Sequence, residues 1–575
     1  MTAEEAKRIY SNEFADLIVE YAGKEPSFKQ YPNATFQSLI HSEPSEGHGH
    51  VTYVMRVPIN ELSNQTISQL GYIAMPALLG IISESAVEAS GITRIRTIPK
   101  LNLRGEGVLI GIVDTGIDYT NPIFLKADGT TKISLLWDQS IYGEDYQSNT
   151  FYGTEYTSEQ INLALKSPNP YDIVPSRDEI GHGTMLAGII AGNEVPEQGF
   201  TGVVPDAELV VVKLKSPKQY LRGFWKVPDN TVCFQENDIS LALEYLELTA
   251  NRLGRPMSIC LALGTSLDSH DSKSYLSKWV SIRAENYNFS IQTAAGNEGS
   301  AKRHFWGSIN PSKGFETVEL KVGENQGDFS MELWGDSPGL FSMDIKTPSG
   351  EYIPYIIPKV NETRLASFIF EQTRINIDYQ IVESGSGDQL ILLRFTKPAP
   401  GIWVFRVYGK GDLSLSFHIW LPMEGFISND TYFLRPDPNT TLLSLGNSTE
   451  AITVTSYNHE DRSFYLNASK GYTRTGVIKP DIAAPGVNIL SPDLNHGFIA
   501  VSGTSPATAH ASGVAAMLLE WGIVKGNFPS MKTADIKILM IRGANRAPEL
   551  FFPNKEWGYG ILDVYNIFNS LREGL

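Results

Sequence analysis

Cysteine is nearly absent, with Cys233 and Cys260 the only two in 575 residues. That excludes a disulfide framework as the source of stability. One bonded pair stays open, and two buried free thiols are the simpler expectation. A bilayer span is missing as well. The most apolar segment, Leu70 to Ile82, is too short and is broken by Gly71, Pro76 and Gly80. The opening Met1-Thr-Ala-Glu-Glu-Ala-Lys-Arg8 has no apolar core of an export signal, so the expectation is a protein synthesised in the cytoplasm without a signal peptide. Positive charge is not in excess either. Lys and Arg total 47 against 64 Asp and Glu, a formal net charge of −17. Such a balance argues against nucleic acid or an anionic membrane surface as the main partner.

What is present is the composition of a folded chain, 42% hydrophobic and 19% charged. Its length calls for two to four domains. Residues 1 to about 85 read as a small α/β unit, with an amphipathic helix through about Ala22, a strand over Val51–Val57 and a short helix from Asn60 to Leu70. His48-Gly49-His50, with His41 and Glu46 nearby, has ligand-like spacing. It lies among Ser, Gly and Pro, and a solvated loop is the preferred reading over a metal site.

From Gly107 the character changes. Val108-Leu-Ile-Gly-Ile-Val113 is a continuous apolar run of the kind buried on both faces of a parallel sheet, and it ends in Asp114-Thr-Gly-Ile-Asp118. Gly181-His182-Gly183-Thr184 opens a buried helix from Met185 to Ala191. A strand follows Gly202, then an amphipathic helix over Asp238–Leu253 and two more buried strands, Met257–Gly264 and Ser290–Asn297. Strands alternating with helices at this spacing predict a doubly wound parallel sheet. Between about 305 and 437 the pattern switches to short strands and turns, including Thr317–Val322, Gln389–Phe395, Ile402–Tyr408 and Leu413–Trp420. These predict an all-β sandwich of jelly-roll type. The α/β character returns at Ala451–Thr455, so the sandwich reads as an insertion.

Asp114, His182 and Ser505 each lie at the end of a buried element. Ser505 begins the apolar helix that runs to Trp521, where free N–H groups and the helix dipole favour a developing anion. In that order the three types supply a charge that orients an imidazole, a base, and a nucleophile. Asn297, after a glycine at a strand end, is the expected second oxyanion donor. An ordinary Ser N-cap explains Gly-Thr-Ser taken alone. The four motifs together are far more specific. The Gly-x-Ser-x-Gly elbow of α/β-hydrolases is absent around Ser505.

Asp114-Thr-Gly-Ile-Asp118, Gly181-His-Gly-Thr-Met-Leu-Ala-Gly188, Ala294-Ala-Gly-Asn-Glu-Gly299 and Gly503-Thr-Ser-Pro-Ala-Thr-Ala-His510 together resemble the catalytic domain of the subtilisin-like proteases. Two departures are visible. Ala509 stands where many subtilases have Pro, and Asn297 and Ser505 are 208 positions apart, because the β insertion lies between them. The resemblance implies that Leu261, Ala262, Leu263 and Gly264, with Ala294, Ala295 and Gly296, wall a site that pairs with an extended peptide. It places the residue at the base of the S1 pocket just after Asn297. Calcium, common in subtilases, would have Asp118, Asp138 and Asp178 as candidates, with isolated surface carboxylates the plainer reading. No cofactor or metal is expected. The layout is similar to the clostridial Csp germination proteases. It implies residues 1–85 as a self-cleaved prodomain bound at the active site, 86–306 and 438–575 as the catalytic domain and 307–437 as the insert. Cleavage would fall between Pro76 and Glu88, within Gly80-Ile81-Ile82-Ser83-Glu84-Ser85-Ala86. The implied function is a spore-packaged serine endopeptidase that activates a cortex-lytic zymogen. The alternatives are another bacterial intracellular or surface subtilase, or a non-catalytic signalling form plugged by its prodomain.

Overall fold

The computed structural model describes residues 8–21, 28, 30–39, 51–81, 101–142, 150–310, 312–355, 361–410 and 414–573. At its centre is an eight-stranded sheet. The order is Ile482–Pro485, Ile452–Tyr457, Phe289–Ala294, Met257–Leu261, Leu109–Asp114, Glu208–Lys213, Ile133–Asp138 and Thr154–Thr157. All neighbours are parallel except the last pair, where Thr154–Thr157 runs antiparallel along the edge. The strand Leu109–Asp114 is apolar throughout because both of its faces are covered. Ile110 and Ile112 enter the core that holds His182–Ala191 and Thr504–Leu519. Leu109 and Val113 enter the opposite core with Glu236–Leu253 and Tyr275–Ala284. The expected doubly wound α/β fold is present. Cys233 and Cys260 are buried free thiols, which burial lifts to about 11 and about 12.

In the N-terminal unit, Val51–Pro58 lies between Phe14–Tyr21 and Thr35–Ser38 in an antiparallel sheet. The helix expected through Ala22 is not formed over residues 14–21, which are a strand. Leu17, Ile18 and Val19 are all buried, so both faces of this segment are covered, and its β-branched residues suit an extended conformation. Nor does Asn60 open a helix. Ile59–Glu61 make a single 3₁₀ turn, and Ser63 Oγ accepts from Gln65 N, so the helix is confined to Thr66–Leu70. His41, Glu46, His48 and His50 lie outside the described residues.

The inserted unit has two antiparallel sheets. One runs His304–Ile309, Leu415–Trp420, Phe329–Gly335, Gln389–Thr396, Arg374–Gln380, Glu362–Ser367. The other runs Tyr352–Ile353, Leu340–Lys346, Gly401–Lys410, Phe315–Val322, Tyr432–Phe433. Val318, Leu320, Trp403 and Phe405 from the second sheet meet Leu333, Ile391 and Phe395 from the first in a single core, which makes the unit a sandwich. A further core joins all three units. It contains Leu17, Met55 and Leu78 of the N-terminal unit, Trp225 and Leu443 of the central unit, and Trp334, Trp420 and Phe426 of the sandwich. Arg474, paired with Asp271 of the same unit, adds ion pairs to Asp336 and Asp388 across the sandwich boundary. Among the described residues no helix is long and apolar enough to cross a membrane.

Candidate active site

Asp114 ends the central strand and is fully buried. Its Oδ1 accepts from the Thr115 N–H at 2.7 Å and lies 2.8 Å from His182 Nδ1. A carboxylate there fixes the tautomer, with the proton on Nδ1 and the basic lone pair on Nε2. His182 is the first residue of its helix, and the local sequence explains how that helix reaches the strand end. Gly183 is required because a Cβ there would sit 2.1 Å from the Gly116 carbonyl oxygen. Gly116 itself adopts φ +115°. Gly183 N–H donates to Thr115 Oγ1, so the Asp-bearing turn and the His-bearing helix are bonded directly.

The three carboxylates considered for calcium are neither isolated nor exposed. Asp178 accepts from Gly181 N, Thr184 N and Thr184 Oγ1, and thereby anchors the start of the His182 helix. Asp118 accepts from Thr120 Oγ1 and lies 3.0 Å from His496 Nε2. Asp138 accepts from Ser140 Oγ and Ser176 Oγ.

Ser505 is the second residue of the helix Thr504–Leu519 and is buried. Small residues let this helix lie close to its neighbours, since a Cβ on Gly513 would overlap Val203 at 2.4 Å. Ser505 Oγ is 3.5 Å from the Ala262 carbonyl oxygen. Asn297 is held by Thr504, whose N–H and Oγ1 both donate to Asn297 Oδ1, at 3.1 and 3.2 Å. The donor end of that amide is therefore turned away from Thr504. A base oriented by a buried carboxylate, a hydroxyl at a helix N-terminus and an anchored amide are the parts needed for acyl transfer.

The expected walls divide into two kinds. Met257–Leu261 belongs to the large sheet, and after Ala262 the chain leaves it. Leu263 and Gly264 then pair antiparallel with Ile81 and Gly80. The other edge of Leu78–Ile81 pairs with Cys233–Gln235. A three-residue strand in mid-loop gives no periodicity, and the sequence reading missed it. On the other wall, the Ala295 and Gly296 carbonyls accept from the Leu443 and Ser469 N–H groups, both within 2.9 Å. Leu443, which follows the sandwich in sequence, lies against both Gly264 and Gly296. Gly80 and Ile81 of the expected cleavage region are thus located. Ile82, Ser83 and Glu84 lie outside the described residues.

A buried Asp–His pair and a Ser at the start of a helix packed in the same core, on a doubly wound sheet, are the arrangement of a subtilase. Residues 105–319 and 429–560 match the subtilase family, and the chain belongs to it. Among solved structures it resembles the Clostridium perfringens CspB protease, with 28% identity, a TM-score of 0.73, and coverage of 84% of this chain and 98% of that one. It is also similar to the minor extracellular protease Vpr of Bacillus subtilis strain 168, 22% identical over 468 residues, covering 76% of this chain and 49% of that protein. The C5a peptidase of Streptococcus pyogenes serotype M1 is 22% identical over 516 residues, covering 82% of this chain and 40% of the peptidase. The chain spans about half the length of the curated relatives it matches.

Proposed function

We propose that this chain is a subtilisin-type serine endopeptidase and that its N-terminal unit is a prodomain, its own first substrate. In this reading His182 removes the Ser505 proton as Oγ attacks a peptide carbonyl, and Asp114 stabilises the imidazolium. Ser505 N–H and Asn297 Nδ2 bind the oxyanion. His182 then protonates the departing amine, and water attacks the acyl-enzyme in a second round.

The seating of Leu78–Ile81 carries the proposal. A segment paired on both edges and directed toward Ala262 and Ser505 is held as a protease holds a peptide. A peptide held in the register of Gly80 and Ile81 would present its next residue opposite Ala262. We therefore assign self-cleavage to the bond between residues 82 and 83, within the expected region. Sequence likeness over nearly the full length of the CspB protease supports a Csp-type role. That role is limited proteolysis of a cortex-lytic zymogen by an enzyme packaged in the spore. The strand orders of the two inserted sheets support reading the sandwich as a jelly roll.

Reaction of Ser505 with a fluorophosphonate tests the enzyme. Cleavage of a purified cortex-lytic proenzyme at one bond tests the role. No reaction in wild type would overturn the first, and an uncut proenzyme beside a reactive Ser505 would overturn only the second.

A further inference from the structure

Gly264 and Gly296 lie against the same side chain, which fills the space that both leave empty. A Cβ on Gly264 would lie 2.7 Å from Leu443 Cβ, and a Cβ on Gly296 would lie 2.5 Å from Leu443 Cγ. We propose that Leu443 determines specificity, limiting the residue on the acyl side of the scissile bond to a short aliphatic or small side chain. The inference rests on the protease reading above and deepens it.

The register supplies the direction. Residues directly opposite in an antiparallel pair present their side chains to the same face, and alternate residues share that face. Gly80 lies opposite Gly264 and Ser505 Oγ lies near Ala262, so in a substrate held in this register the residue attacked by Ser505 would fall two positions further, opposite Ala262. Its side chain therefore shares the face of Gly264, toward Leu443. Leu443 cannot retreat. It is fully buried, its N–H donates to the Ala295 carbonyl, its own carbonyl accepts from Asn447 Nδ2, and the next residue, Ser444, bonds to the Thr265 carbonyl. Its position bridges both walls. An aromatic or long cationic side chain would have to displace it, whereas Ala, Ser or a branched aliphatic group would rest against it. Two positions upstream the same face is closed by the sandwich, since a Cβ on Gly80 would lie 3.1 Å from Phe426 Cε1 and 3.3 Å from Met423 Cε.

The test uses the full chain and measures labelling rates of Ser505. The probes are N-acyl aminoalkyl diphenyl phosphonates with no peptide extension to compete with Leu78–Ile81, carrying the side chain of Ala, Val, Phe or Lys next to phosphorus, with a fluorophosphonate lacking such a side chain as reference. Wild type should react with the Ala and Val probes at least about tenfold faster than with the Phe and Lys probes, a margin typical of a pocket one or more methylenes too shallow. Leu443→Ala should raise the Phe rate about tenfold relative to the fluorophosphonate. Leu443→Phe should slow the Val probe and spare the Ala probe. Equal wild-type rates for Phe and Ala would overturn the inference whether or not the variants fold. So would an unchanged Phe-to-Ala ratio in Leu443→Ala that still takes the fluorophosphonate. A wild type that ignores the fluorophosphonate would remove the protease reading and this inference with it.

Discussion

Tyr72 Oη donates to Glu332 Oε1 at 2.8 Å, joining the N-terminal unit to the sandwich across 260 residues of sequence. The ring of Tyr72 also meets Trp225 and Trp334 edge-on. The N-terminal unit is thus gripped by two bodies: the domain whose cleft it enters and the insert. Its carbonyls at Ile67 and Pro76 accept from Gln380 of the sandwich and Trp225 of the central unit, respectively.

Removing that hydroxyl should loosen the grip. Tyr72→Phe leaves the buried Glu332 carboxyl with Trp334 Nε1 as its remaining side-chain donor, and a lost buried hydrogen bond of this kind costs about 1–3 kcal/mol. Limited proteolysis of the N-terminal unit should quicken accordingly. The loss should shrink in a Glu332→Gln background, where the bond is already weakened. Equal proteolysis rates for wild type and Tyr72→Phe would show that the packing alone holds the unit.

Retention of the N-terminal unit should also depend on pH. Burial raises both Glu332 and Glu236 from an ordinary 4.5 to about 7, and Glu236 accepts from the Ala77 N–H. The docked state therefore holds protons that Glu332 and Glu236 would give up between pH 4.5 and 7 once the unit leaves. Docking is favoured at the acid end of that window and weakens as pH rises through it, then levels off. On the other side, Asp16 is raised by burial but brought down to about 2 by Lys218 and Arg56, so its contribution is lost only below about pH 3.8. Dissociation of a cleaved unit should be slower at pH 5 than at pH 8, and Glu332→Gln should flatten the difference. A pH-independent rate would contradict the argument.

The sandwich boundary predicts the opposite trend for the whole protein. Burial holds His270 at about 3 and His304 at about 4, and burial with the neighbouring His304 holds His418 well below its ordinary value. His270 stacks on Trp420 at 3.9 Å, and His304 Nε2 lies 2.9 Å from His418 Nδ1, so the three share one interface. Unfolded, they take up protons below about pH 6.5, which the native state resists. Thermal stability should fall as pH drops from 6.5 to about 4, and His418→Gln should lessen that fall. A melting temperature that stays level across this range would argue against the neutral trio.

Catalysis should respond in a graded way. Asp114→Asn, which keeps shape but forfeits the tautomer, should lower kcat/KM by about 10⁴. Asn297→Ala, removing one oxyanion donor, should lower kcat by about 10²–10³. Fluorophosphonate labelling of Ser505 should slow in both variants while the melting temperatures stay close to wild type. Near-normal labelling of Asp114→Asn would place the base elsewhere.

The legible parts of the chain were those whose burial is dictated locally. Val108–Val113 reads as a strand because consecutive residues enter opposite cores, and the glycines around His182 mark a backbone approach that the Gly183–Gly116 contact makes obligatory. Leu443 was not legible, because nothing near it in sequence indicates that the chain returns after the sandwich to lie between Gly264 and Gly296. Cys233–Gln235 became a pairing edge only by facing Leu78–Gly80 from the N-terminal unit. Phe14–Tyr21 was misread because a helix and a strand buried on both faces carry similar apolar runs. What decided between them was Val51–Pro58, more than thirty residues downstream.

The most direct measurement is the intact mass of the purified full chain beside a Ser505→Ala variant. The account predicts a wild type split into two fragments that stay associated, with the break between residues 82 and 83, and a variant that remains whole. If both remain whole, or if Ser505→Ala is cut at the same bond, Ser505 does not process its own chain and the central claim fails.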